Sequence, residues 1–185
     1  MIEHAEIIDV VGAYLERYPE DRPSIAALLA SLAALAAVSE RSTFTGHVTC
    51  SVTLIDRQRR VLHIRHNALG LWLPPGGHLE ADDTSLLQAA LRELEEETGV
   101  APGLVSAAAD GLPVDIDVHT IPANPAKGEP EHQHFDLHYV VAARELLPAL
   151  RLQDAEVSGY RWIPVEEIEP DELRRRLHTS IAPDR

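Results

Sequence analysis

Hydrophobic positions in the first forty residues recur at helical spacing. Ile8, Val11 and Leu15 fall on one face, and a second apolar run over 24–38 follows a break at Pro19-Glu20-Asp21-Arg22-Pro23. The second run is apolar nearly all round, which predicts burial against the body of the protein or against another subunit, so a homodimer is one arrangement it allows. After Arg41-Ser42-Thr43 the pattern changes to that of strands, at 48–55 and 60–65, with a turn at Asp56-Arg57-Gln58-Arg59. A loop over 71–78 leads into a helix opened by a capping box of Ser85 and Gln88 and closed by Gly99. Further strands are predicted at 114–121, 134–143 and 159–163, with a Pro/Gly loop over 122–130 and a last helix over 165–177. Strands and helices mix without regular βαβ alternation, which favours an α+β fold.

Composition narrows the partners. A chain of 185 residues with 45% hydrophobic content suits one globular domain and a modest extension. Thirty acidic against sixteen basic residues give a formal net charge of −14, which argues against nucleic acid and against anionic membrane surfaces. Cys50 stands alone, so no internal disulfide forms and a reducing, cytoplasmic setting is expected. The start, Met1-Ile2-Glu3-His4-Ala5-Glu6, lacks the pattern of a signal peptide, and the 26–38 run is too short to span a bilayer.

The strongest chemical signal lies at Arg92-Glu93-Leu94-Glu95-Glu96-Glu97-Thr98-Gly99-Val100. On a helical wheel Leu87, Ala90, Leu91 and Leu94 form the buried stripe, and Glu93, Glu96 and Glu97 share an arc beside it. Glu95 points away, to water. Most glutamate-rich helices are simply solvated. Here, however, like charges sit at i,i+4 and near the helix C-terminus, where the macrodipole penalises anions, so stability alone would not select them. Three convergent oxygen donors suit a hard divalent cation, Mg²⁺ or Mn²⁺, and such a metal commonly serves phosphate chemistry.

These residues resemble the Nudix box of the Nudix hydrolase superfamily, Gly-x5-Glu-x7-Arg-Glu-U-x-Glu-Glu-x-Gly-U with U aliphatic, which falls at residues 77–100. The second half matches at every fixed position. Trp72-Leu73-Pro74-Pro75-Gly76-Gly77 and Tyr160-Arg161-Trp162-Ile163-Pro164-Val165 are similar to the family's flanking segments. The first half carries one extra residue: counted forward from Gly77 the family glutamate falls on Asp83, and counted back from Arg92 it falls on Thr84. The resemblance implies an α/β/α Nudix sandwich with a mixed sheet over 43–185 and a helical N-terminal extension over 1–42. It implies a metal-dependent pyrophosphohydrolase acting on a nucleoside diphosphate derivative or a related small phosphorylated metabolite. Metal would be held by Glu93, Glu96, Glu97 and the Gly76 carbonyl; Arg92 would brace the glutamates, and Asp83 either orients Arg92 or simply caps the helix. Glu96 or a residue of the 129–136 loop is the expected general base. A nucleotide-binding regulatory module, which typically loses box glutamates, and an isomerase of the isopentenyl diphosphate type, which needs a placed cysteine, are the rival readings.

A second concentration of polar groups follows. His132, His134, Asp136 and His138 alternate and would share one face of a strand, as would Asp115, Asp117 and His119. A wet sheet face would look the same. Four such groups exceed what solubility needs, and His132, His134 and Asp136 are candidates to ligate a further metal or to donate to phosphate oxygens. His78, His119, Lys127 (the only lysine) and Glu129 complete the candidate substrate contacts. Trp72 and Trp162 are expected in the core.

Overall fold

A computed structural model describes residues 2–126 and 128–180. Helix α1 (His4–Arg17) and helix α2 (Ala26–Ala33) precede strand β1 (His47–Ile55) and strand β2 (Arg60–His66). Short strands β3 (Trp72–Leu73) and β4 (Gly76–His78) lead to helix α3 (Leu86–Thr98). Strands β5 (Val105–Ala107), β6 (Asp115–Ile121), β7 (His132–Ala143) and β8 (Val157–Pro164) follow, and helix α4 (Asp171–Ser180) comes last. The fold is α+β. One mixed sheet runs β3-β2-β1-β7-β5, with β4 on β1, β6 on β7 and β8 on β2. Its spine is the parallel β1–β7 pair, matched from His47↔His134 to Ile55↔Ala142.

Alternation along β1 and β7 sorts side chains onto two faces. Val48, Cys50, Val52 and Leu54 meet Leu86, Ala89, Ala90 and Leu94 of α3, and the same cluster takes in Ile7, Val11 and Tyr14 of α1 and Leu28 and Leu32 of α2. A second, smaller cluster on the other face joins Ile55, Val61 and Val140 to Leu177 of α4. The N-terminal helices are therefore part of the main core. The Glu6 carboxylate accepts from the Leu86 N–H at 3.2 Å, and the Val48 N–H donates to the Val38 carbonyl at 2.7 Å.

Several sequence expectations change. The segment 71–78, expected as a loop, carries β3 and β4, and β5 has no counterpart among the expected strands, because strands this short leave no alternation to read. Helix α2 buries one stripe only, with Ala26, Ala30 and Ala33 exposed, because alanines cover little surface and leave little to hide. The last helix starts at Asp171, after a 3₁₀ turn at Val165–Glu167; Pro170 disfavours helical backbone before it. Trp72 and Trp162 are only half-buried, with Arg161 4.8 Å from the Trp72 ring and Arg60 5.5 Å from the Trp162 ring. Trp162 still packs against the main core, while Trp72 does not join it, and guanidinium groups cover the outer faces of both rings. Among the described residues no helix is long and apolar enough to cross a membrane.

Candidate functional site

Helix α3 is fixed at both ends. Ser85 caps it by accepting from the Gln88 N–H at 3.1 Å, and Gly99 ends it in the left-handed conformation at φ 73°. Between these, Glu93 and Glu97 face strand β4, which has glycine where they arrive. A side chain at position 77 would bring its Cβ within 2.5 Å of Glu93 Oε1, and the Gly76 N–H donates to Glu97 Oε2 at 3.0 Å. At Gly76 a Cβ would come within 2.7 Å of the Ser51 backbone, so glycine there is a requirement of close approach. Glu95 is exposed, and Glu96 is about half exposed.

Arg92 sits among the carboxylates. Its Nε donates to Asp83 Oδ1 at 2.9 Å and its Nη2 to Asp83 Oδ2 at 3.1 Å, a two-pronged pair with a carboxylate only 1% exposed. Nη2 also donates to the His78 carbonyl at 2.8 Å, and Nη1 to Glu93 at 3.0 Å and Glu96 at 3.2 Å. Asp83 additionally accepts the Glu80 N–H at 2.7 Å. The helix N-cap is Ser85, not Asp83. Gly77 and Asp83 thus keep the glycine-to-acid spacing, and the extra residue falls between Asp83 and Arg92, at the start of the helix.

The hydrogen bond to Asp83 raises the basicity of Arg92 further, so its charge is permanent. One cation does not suffice for the helix. Burial, then the neighbouring carboxylates Glu93, Glu156 and Glu96, push Glu97 up to about 8 against the help of the Gly76 N–H. Burial also raises Glu93 despite Arg92. Glu156, on the loop before β8, had no signal in the sequence; only folding carries its charge to α3. The donor set is a knot of carboxylate oxygens, that of Glu97 buried and that of Glu93 partly so, beside one arginine already committed to Asp83. Those residues fit a hard divalent cation.

On the opposite face of the sheet, polar side chains form rows. His134 on β7 is flanked by His47 on β1 and His119 on β6; Asp136 by Thr49 and Asp117; His138 by Ser51 and Asp115. Asp136 accepts from Thr49 at 2.9 Å and from Ser51, so both its oxygens are engaged. With Ser51 donating to Asp136, the His138 Nδ1–H donates to Ser51 at 3.1 Å, leaving Nε2 to accept from Thr53 at 2.6 Å. Burial holds His138 below its ordinary pKa, against Asp136 and Asp117. That fits the neutral ring this network requires.

At the open end of these rows five imidazoles crowd together. The His47 ring lies 4.7 Å from His134, 5.0 Å from His132 and 5.1 Å from His78, while His134 lies 5.1 Å from His78 and 5.6 Å from His119. Burial lowers His134 to about 3 and His78 to about 4, and lowers His47 as well. His119 differs, since the hydrogen bond its Nδ1–H donates to Asp117 at 2.8 Å raises it. No sequence signal marks His47, which stands alone in a segment with no repeat; the β1–β7 register brings it beside His134. Glu129 pairs with Arg41 at 2.9 Å, and both line a cleft of about 530 Å³ with Phe44, Leu79 and Glu80. Lys127 lies outside the described residues.

With this geometry in view, comparison with known proteins gives a consistent picture. The NUDIX domain matches residues 45–182. The m7GpppN-mRNA hydrolase NUDT17 of Bos taurus is 34% identical over 114 residues, covering 60% of this chain and 36% of that protein. Phosphatase NudJ of Escherichia coli is 46% identical over 140 residues, covering 68% of this chain and 72% of that one. The chain thus spans about a third of the bovine relative's length. Among solved structures, the E. coli dihydroneopterin triphosphate pyrophosphohydrolase aligns with TM-score 0.51 at 16% identity, covering 71% of this chain and 92% of that one, a likeness of fold.

Proposed function

Since the chain belongs to the NUDIX domain family, we propose that it is a divalent-metal-dependent pyrophosphohydrolase acting on a small nucleoside diphosphate derivative or related phosphorylated metabolite. One observation carries the reading: Glu97 is 2% exposed, receives a single N–H, and has carboxylates rather than a cation as its charged neighbours. A buried carboxylate is stabilised by proton or by cation, and three acidic side chains on one rigid helix favour the cation.

In this reading Glu93, Glu96 and Glu97, with the Gly76 carbonyl, hold Mg²⁺ or Mn²⁺. When bound, the metal screens the pyrophosphate oxygens and polarises the bond to be broken. Arg92 limits repulsion among the glutamates and keeps Glu93 and Glu96 in place. Asp83 orients Arg92. Glu96, the most exposed of the three ligands, accepts the proton of the attacking water at its carboxylate.

The rival activities find less support. An isomerase needs a reactive cysteine, whereas Cys50 is wholly buried and its thiol is pushed well up by burial. A binding module has no need of all three glutamates. The test is an assay of the full chain with Mg²⁺ and with Mn²⁺ on nucleoside triphosphates, dinucleoside polyphosphates, nucleotide sugars and a capped dinucleotide. Metal-dependent phosphate or pyrophosphate release from one of them is expected; tight binding of one without any hydrolysis would overturn the proposal.

A further inference from the structure

A cluster of histidines lies on the other face of strand β4. Gly77 faces Glu93, whereas the next residue, His78, points its ring toward His47 and His134; strand alternation separates the two environments. One ring nitrogen from each of His47, His132 and His134 lies within 4.8 Å of the other two.

The hydrogen bonds around these rings decide what they offer. His47 Nδ1 lies 3.3 Å from the Thr43 carbonyl, and His132 Nδ1 lies 2.7 Å from the Pro130 carbonyl. A carbonyl only accepts, so both Nδ1 atoms carry the hydrogen and both Nε2 atoms keep a free lone pair. His47 Nε2 is buried and has no hydrogen-bond partner, and the same is true of His134 Nε2. Buried nitrogens left unpaired are costly. An imidazole held by a backbone carbonyl on one nitrogen and bare on the other is the arrangement that metal-bound histidines adopt.

We propose that His47, His132 and His134 form a site for a borderline transition cation of the zinc class, separate from the glutamate site and independent of hydrolysis at α3. The ligands are imidazole nitrogens without a carboxylate among them, because Asp136 is spent on Thr49 and Ser51. Such a set selects zinc-like ions over Mg²⁺, which demands oxygen. His78, with its ring 5.1 Å from both His47 and His134, borders the fourth coordination position. An ion there would tie the start of β1 to the start of β7, where the parallel pair opens.

The test uses the full chain, stripped with chelator and given Zn²⁺ or Co²⁺ in excess Mg²⁺, then desalted. One zinc per chain is expected to survive desalting, and cobalt should show the visible absorption of a four-coordinate ion. His47→Gln and His134→Gln should lose that ion while Glu97→Gln retains it. In the unmutated protein, Zn²⁺ should shift the ring resonances of His47, His132 and His134, a readout that needs no variant to fold. Loss of all zinc on desalting, retention by both histidine variants, or unshifted rings would each overturn the site.

Discussion

Glu97 concentrates the electrostatic problem of the candidate active site in one side chain. Its pKa of about 8, against an ordinary 4.5, means that the metal-free native state holds a proton which the unfolded chain has released across that window. The native state binds more protons there, so stability should fall as pH rises from about 4.5 to 8, with no effect below and the full penalty above. Glu97→Gln should remove that slope and stabilise the metal-free protein at pH 8.5 by on the order of 2–4 kcal/mol in urea titrations. The same variant should lower turnover by at least about 100-fold; unchanged turnover would place the metal elsewhere. Asp83→Ala probes the brace. It leaves two Arg92 donors without their carboxylate, and a drop of about 10–100-fold in metal affinity or activity is expected, read as a raised Mg²⁺ requirement. How far these roles were legible differs by residue. Glu93, Glu96 and Glu97 follow from helical spacing alone, whereas the pairing of Asp83 with Arg92 depends on how a loop of the wrong length folds back.

At the scale of elements, α3 is the most locally determined part of the chain. Its cap, its glycine stop and its apolar stripe are all adjacent in sequence, so they agree with the fold before any long-range contact forms. Helix α4 is the opposite case. Arg176, 4% exposed, reaches across to Asp21 with donors at 2.7 and 3.0 Å, to the Val114 carbonyl at 3.1 Å and to Asp115 at 3.2 Å, while its guanidinium lies 4.1 Å from the Tyr18 ring. This one side chain joins α4 to the turn after α1 and to β6. Arg176→Ala should cost about 2–3 kcal/mol, since it leaves the half-buried carboxylates of Asp21 and Asp115 and the Val114 carbonyl without their donor, and Arg176→Lys should recover only part of it because the two-pronged geometry is lost. Equal denaturation midpoints for the three proteins would refute the clamp. No periodicity marks Arg176, which reads from sequence as one of three consecutive surface arginines.

For the molecule as a whole, the N-terminal helices are the point at issue. The family match begins at residue 45, yet Ile7, Val11, Tyr14, Leu28 and Leu32 fill the same cluster as β1 and α3. Removing residues 2–42 would uncover that face of the core. The fragment 43–185 should therefore lose cooperative unfolding and collect in aggregates, and a sharp thermal transition for the fragment would show that the extension is dispensable. Arg41 and Phe44 on the connecting segment line the cleft beside the histidine cluster, so a fragment that does fold should also bind substrate differently.

The sequence by itself determined the longer helices and strands, the α+β class, the family and the three glutamates of α3, because each rests on spacing within a short stretch of chain. Tertiary structure decided the rest. Register between β1 and β7 brought His47 to His134, folding of the β4–α3 loop brought Asp83 to Arg92, and packing carried Glu156 toward Glu97 and Arg176 to Asp21. These pairs are far apart in the chain or set by loop geometry. Their meeting is a consequence of which strands pair and which faces bury, and no local pattern records that.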